Sequence, residues 1–218
     1  MNRSNEVLPS ANLLTMPPMK RSGFLLALAL SFMAQTASHA TTVIPPSFDE
    51  LVTKAEVIFQ GAVTDVKSQW TGEGADRRIM SFVTFRVDDA VKGSPGASYT
   101  LRMLGGTVDG ETMEVTDGPK FKVGDRDIVF VENNGSQFIP LVGIMHGRFH
   151  VENDEATGRE IVTTNERQAV RDVSKLGHEE QAPVTSAAKS AALPTEPLSP
   201  SDFKAKVRQA LQNQAPSQ

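Results

Sequence analysis

Apolar and polar residues alternate most clearly between Arg78 and Gly106. Ile79, Val83, Phe85, Val87 and Val91 share one parity, and Met80, Phe82, Thr84, Arg86 and Asp88 hold the other. Side chains alternate faces along a strand, so the first set makes a strongly apolar face and the second a mixed one. Lys92 to Gly96 is a turn cluster, because glycine supplies positive φ and proline fixes its own. Tyr99 to Leu104 then returns with Tyr99, Leu101 and Met103 on one face. The pattern predicts a long hairpin at the centre of a β-structure. Val83, Phe85 and Val87 should be buried, with Phe59 and Phe130 packed near them.

Elsewhere the pattern changes period. Phe48, Leu51, Val52 and Ala55 fall at i, i+3, i+4 and i+7, a helical stripe. Ser47 and Glu50 are spaced as a capping box at its start. Val57 to Lys67 reads as a strand, with Val57, Phe59 and Val63 on one face. Gly61 interrupts it and the apolar parity moves to Val66, which predicts a bend or bulge. Trp70 to Asp76 is polar and glycine-containing, a connecting loop. Thr107 to Val115 should form a small hairpin around Asp109-Gly110. Ile128 to Val131 is apolar on both faces, as in a strand covered from both sides. Phe138 to Val142 and Arg148 to Val151 read as further strands, the latter pairing with Glu160 to Thr163.

The two ends follow different rules. Met19-Lys20-Arg21, an apolar run from Gly23 to Ala34 and the small residues Ser38 and Ala40 form the three parts of a secretory signal peptide. A membrane span needs roughly 20 apolar residues, and this run is shorter. Residues 1–40 are therefore expected to be removed, with translation starting at Met16 or Met19. Removal takes Arg3, Lys20, Arg21 and Glu6, and leaves an acidic mature chain. That charge repels phosphate backbones and argues against nucleic acid as a partner. The chain has no cysteine, which excludes disulfides, thiol chemistry and lipid anchoring through a new N-terminal cysteine. No membrane association is expected after cleavage. Residues 41–178 should form the β domain. Residues 179–197 are rich in Ala, Ser, Thr, Pro and Glu, the composition of a flexible linker. Residues 198–218 hold a final helix: Ser199 is a fitting N-cap, Pro200 a fitting first residue, and Leu198 with Phe203 a hydrophobic staple. Its stripe of Phe203, Val207, Ala210 and Leu211 needs a surface, either its own domain or a partner.

The helix Phe-Asp-Glu-Leu-Val-x-x-Ala, the strand Val-Ile-Phe-Gln-Gly-Ala-Val and the Thr-Phe-Arg-Val…Val-Lys-Gly strand resemble a group of uncharacterised bacterial exported domains. Leu-Gly-Gly at 104–106 and Gly-Pro-Lys-Phe-Lys-Val-Gly-Asp at 118–125 continue the likeness. It spans Ser47 to Val151 and rests on structural motifs. In outline the arrangement is also similar to netrin-type domains and tissue inhibitors of metalloproteinases. That resemblance implies a small OB-like β-barrel with a short leading helix, here followed by the C-terminal helix on its linker. Those inhibitors ligate the protease metal through an N-terminal cysteine, a route closed to this chain.

Candidate chemistry is sparse. His146 and His150 are the metal candidates, but along a strand they would stand about 13 Å apart unless Gly147 turns the chain. Asp109, Glu111, Glu114 and Asp117 cluster around a turn without the spacing of a calcium loop. No nucleophile elbow, P-loop or dinucleotide fingerprint is present, and no cofactor is expected. Trp70 is a candidate contact aromatic, and Phe203, Val207 and Leu211 a candidate docking stripe. The expected role is a non-catalytic binding module whose partner is another exported protein, for example an enzyme. The rival is a metal-binding protein or metal-dependent hydrolase centred on His146 and His150.

Overall fold

Ser47 opens the first helix as its spacing predicts. The Glu50 amide donates to Ser47 Oγ at 3.3 Å, and the Ser47 amide donates to Glu50 Oε2 at 2.9 Å. This capping box starts α1 (Phe48–Lys54), whose Phe48, Leu51 and Val52 are buried. The other end is capped from a distance. Lys92 Nζ donates to the carbonyls of Val52 at 2.8 Å and Thr53 at 3.3 Å, placing a cation on the last turn. The computed structural model describes residues 44–116, 118–155, 157–177 and 196–214, all in one compact unit. The expected leader at 1–40, and the linker at 179–197 apart from its last two residues, lie outside the described residues.

The strands are β1 (Val57–Thr71), β2 (Arg78–Lys92), β3 (Ser98–Leu104), β4 (Gly106–Val108), β5 (Glu111–Met113), β6 (Arg126–Val131), β7 (Arg148–Asn153) and β8 (Glu160–Thr163). Six of them form an antiparallel sheet in the order β3-β2-β1-β6-β7-β8, and β4 pairs with β5. The fold is mostly β, with a leading helix and a C-terminal helix α2 (Pro200–Gln214). Among the described residues no helix is long and apolar enough to cross a membrane.

β1 bends where its sequence changes parity. Its register against β2 shifts at Ile58/Phe59, at Gln60/Gly61 and at Val63/Asp65. A Cβ on Gly61 would overlap the Arg86 carbonyl oxygen, so only glycine lets the two backbones approach there. The strand also runs further than expected. Trp70 pairs with Ile79 inside the ladder, and the connecting loop begins only at Gly72.

The sheet has a core on each face. Ile128 and Phe130 of β6 pack with Phe48, Leu51, Phe149, Phe203 and Val207 under the two helices. Val129 and Val131 point the other way, to Phe59, Val83, Phe85, Leu101, Phe121 and Leu141. Phe85 and Phe59 meet edge to face, with centroids 5.4 Å apart. Phe130 therefore does not join Phe59 and Phe85 as expected. A strand covered on both sides divides its apolar residues by parity, and Phe130 falls on the helix side. Val87 is half-buried.

The sheet is not a closed barrel: its edge strands are β3 and β8. The gap between β3 and β6 is spanned by the segment 134–142. The Arg102 amide donates to Asn134 Oδ1 at 3.0 Å, and the Leu104 amide to the Phe138 carbonyl at 2.7 Å. Further on, the Val142 amide donates to the Phe130 carbonyl at 3.0 Å. The strand expected at Phe138 to Val142 does not form. It makes a single bridge, Val131 to Leu141. Pro140 offers no amide for a ladder, and positive φ at Asn133, Gly135, Gly143 and Ile144 turns the chain on either side. The β8 edge is covered as well: the Val162 amide donates to Leu198, and the Leu198 amide to Val170.

Helix α2 docks on its own sheet. Ser199 caps it by accepting from the Asp202 amide at 3.1 Å. Phe203 and Val207 are fully buried, and Phe203 meets Phe149 with centroids 4.9 Å apart.

Candidate functional site

The two histidines of the sequence pattern do not share a site. His146 lies in the turn before β7 and lines a polar cleft of about 580 Å³ with Pro46, Glu166 and Lys175. His150 sits within β7, only 4 % exposed, and borders a separate hollow of about 190 Å³ with Asp125, Glu152 and Arg167. Among the described residues no group of three or more metal-binding side chains gathers around either. In the acidic turn, Asp109, Glu111 and Glu114 are described and Asp117 lies outside the described residues.

Trp70 is half-buried near the outer end of the β1–β2 hairpin, with the Arg77 guanidinium 4.0 Å from its ring centroid. One of its faces is already occupied. Phe203 and Val207 belong to the helix-side core, and Leu211 packs half-buried against it. The docking stripe is spent on the fold itself, because burying it on the sheet satisfies its apolar face.

Two further features emerge from the structure. The first is a buried ion network at the β6–β7 pair, where Asp127 stands opposite His150. Asp127 is fully buried and holds His150 Nδ1 at 2.7 Å through Oδ1 and an Arg148 Nη at 2.9 Å through Oδ2. The Arg148 guanidinium also donates to Asp125 at 2.7 Å and to the Lys120 carbonyl at 2.7 Å. It lies 3.9 Å from the Phe121 ring centroid. Arg148 Nε is buried without a partner. The network therefore fastens the segment 120–125, which carries Phe121, onto the sheet. Its sequence signal was the period-2 spacing of Asp125 with Asp127 and of Arg148 with His150, in or beside strands that had to be buried.

The second feature is the cavity that this segment walls. It measures about 240 Å³ and lies over the Phe59–Phe85 face of the sheet, the inner face from here on, against the β4–β5 hairpin. Val66, Met103, Met113, Val115, Phe121 and Ile139 supply apolar walls, and Ser68 and Ser81 supply hydroxyls. Ser81 Oγ donates to the Gly105 carbonyl at 2.6 Å and lies 2.9 Å from Ser68 Oγ. Leu104-Gly105-Gly106 brings the backbone over these hydroxyls. A Cβ on Gly106, at φ 135°, would overlap both serine oxygens. Lys120 and Glu114 pair at the rim, 3.2 Å apart and both exposed. A concave, mostly apolar hollow with a few convergent polar atoms has the composition of a binding site, and among the described residues lining it no nucleophile–base pair is present.

The chain matches no known family model, no curated protein and no solved structure.

Proposed function

We propose that this chain is an exported, non-catalytic binding module that engages another exported protein through the cavity over the inner face of its sheet. The observation that carries the reading is the preformed apolar hollow between Val66, Met103, Met113 and Phe121, with serine hydroxyls at its base. The covering of both edge strands supports it, since it directs recognition away from strand addition at β3 or β8. The signal-peptide pattern of residues 1–40 and the resemblance to exported bacterial domains support the location.

The test is capture of partners from the native periplasmic or medium fraction, comparing the exported chain with Val66→Glu. Val66 is half-buried at the cavity wall, so the added carboxylate blocks the hollow while the sheet is kept, as circular dichroism would verify. Loss of a wild-type partner is the expected result. Capture of the same proteins by a folded Val66→Glu chain would overturn the proposal.

A further inference from the structure

We infer, resting on that reading, that the cavity receives a tryptophan side chain of the partner protein. The hydrogen-bond order at its base is the first argument. Ser81 has one hydroxyl proton and gives it to the Gly105 carbonyl at 2.6 Å. The 2.9 Å contact between the two serines must therefore have Ser68 as donor. Ser68 Oγ keeps its lone pairs, and no donor among the described residues fills them. The cavity lining therefore offers a hydroxyl acceptor without a protein donor among the described residues.

An indole N–H is a donor and nothing else, whereas a phenol brings an acceptor that this site would leave unpaired. The walls favour an aromatic ring, since thioether sulfurs such as those of Met103 and Met113 make attractive contacts with ring edges. Size points to a single side chain. At about 240 Å³ the hollow falls below the roughly 300 Å³ at which whole small-molecule sites begin. Position points to a protein source: from Asp65 to Thr71, β1 is laddered to β2 alone, which leaves its other backbone edge without a ladder partner beside Val66 and Ser68. Tryptophan is enriched among the few buried anchors that carry most of an interface's binding energy.

The experiment titrates the exported chain with indole, N-acetyltryptophanamide and benzothiophene, an isostere of indole without the N–H. Methionine methyl NMR reports occupancy, because Met103 and Met113 line the cavity and the buried Met80 does not. Saturable shifts at Met103 and Met113 with an unmoved Met80 are expected for indole and N-acetyltryptophanamide. Ser68→Ala should weaken indole about fivefold, the effect of one ordinary hydrogen bond, and leave benzothiophene unchanged. Equal binding of indole and benzothiophene, with no effect of Ser68→Ala, would overturn the ligand class. Rejection of N-acetyltryptophanamide by a cavity that takes indole would overturn the protein source. Absence of any saturable shift overturns the inference as a whole. The Val66→Glu capture decides separately whether the cavity binds a partner at all.

Discussion

Asp89 on β2 accepts a hydrogen bond from Lys204 on α2 at 2.6 Å, joining residues 115 positions apart in the chain. Arg208, one turn further along the helix, donates to the same carboxylate at 2.9 Å. Burial raises the Asp89 pKa, but the hydrogen bonds and charges of Lys204 and Arg208 outweigh it and hold the carboxyl below its ordinary value. The unfolded chain therefore takes up this proton more readily than the folded one. The stabilisation is complete above the unfolded carboxylate pKa of about 3.9 and is lost as pH falls through the lower folded value. Asp89→Asn should cost about 1–2 kcal/mol at pH 7, allowing for the partial exposure of the pair. It should also flatten the acid limb of the stability curve below about pH 4. An unchanged acid limb, read from urea midpoints against pH, would show that the pair does not hold the helix.

The two cores predict a pattern of additivity. Phe85 sits on the inner face beside Phe59 and Phe121, and Phe203 lies under α2 beside Phe130 and Phe149. Phe85→Leu and Phe203→Leu should each cost about 1–2 kcal/mol. Because the sheet separates them, the double variant should equal their sum within about 0.5 kcal/mol. Phe203→Leu combined with Phe149→Leu shares a site and should depart from additivity by more than that. Denaturant unfolding of the three single and two double variants measures both cases. Coupling between Phe85 and Phe203 as large as that between Phe149 and Phe203 would contradict a sheet with separate cores.

The ion network predicts an asymmetry. Arg148→Met leaves the fully buried Asp127 without its cation and should cost about 3–5 kcal/mol. Replacing Arg148, Asp127 and His150 together with apolar residues should cost less than that single change, because no uncompensated charge is left inside. Arg148→Met should also free the segment 120–125, seen as faster amide exchange and faster proteolytic cutting there than at β2. A mild loss in Arg148→Met would assign the holding of that segment to Phe121 packing.

Local order was legible and lateral order was not. The parity change past Val63, the capping pair Ser47–Glu50, the N-cap Ser199 and the turn at Asp109-Gly110 are written in neighbouring residues, and each appears in the fold. What a stretch of sequence cannot carry is the identity of the surface that meets it. Ile128 to Val131 announces two covered faces without saying which holds Phe130. The α2 stripe announces a need for burial without naming the sheet under it. Phe138 to Val142 has the apolar content of a strand, but its proline and flanking positive φ values turn it into a bracket between β3 and β6. The network of Asp125, Asp127, Arg148 and His150 joins residues 21–23 positions apart, and only the β6–β7 register brings them face to face.

The covering of β8 by Leu198 and of the helix-side core by Phe203 and Val207 sets an order of events during synthesis. Every strand of the sheet can be made before the residues that seal it exist. Until 196–214 emerge, the Val162 amide on the β8 edge lacks its acceptor, and the helix-side core, covered by α1, lacks Phe203 and Val207. A product cut short there would carry its own template for aggregation.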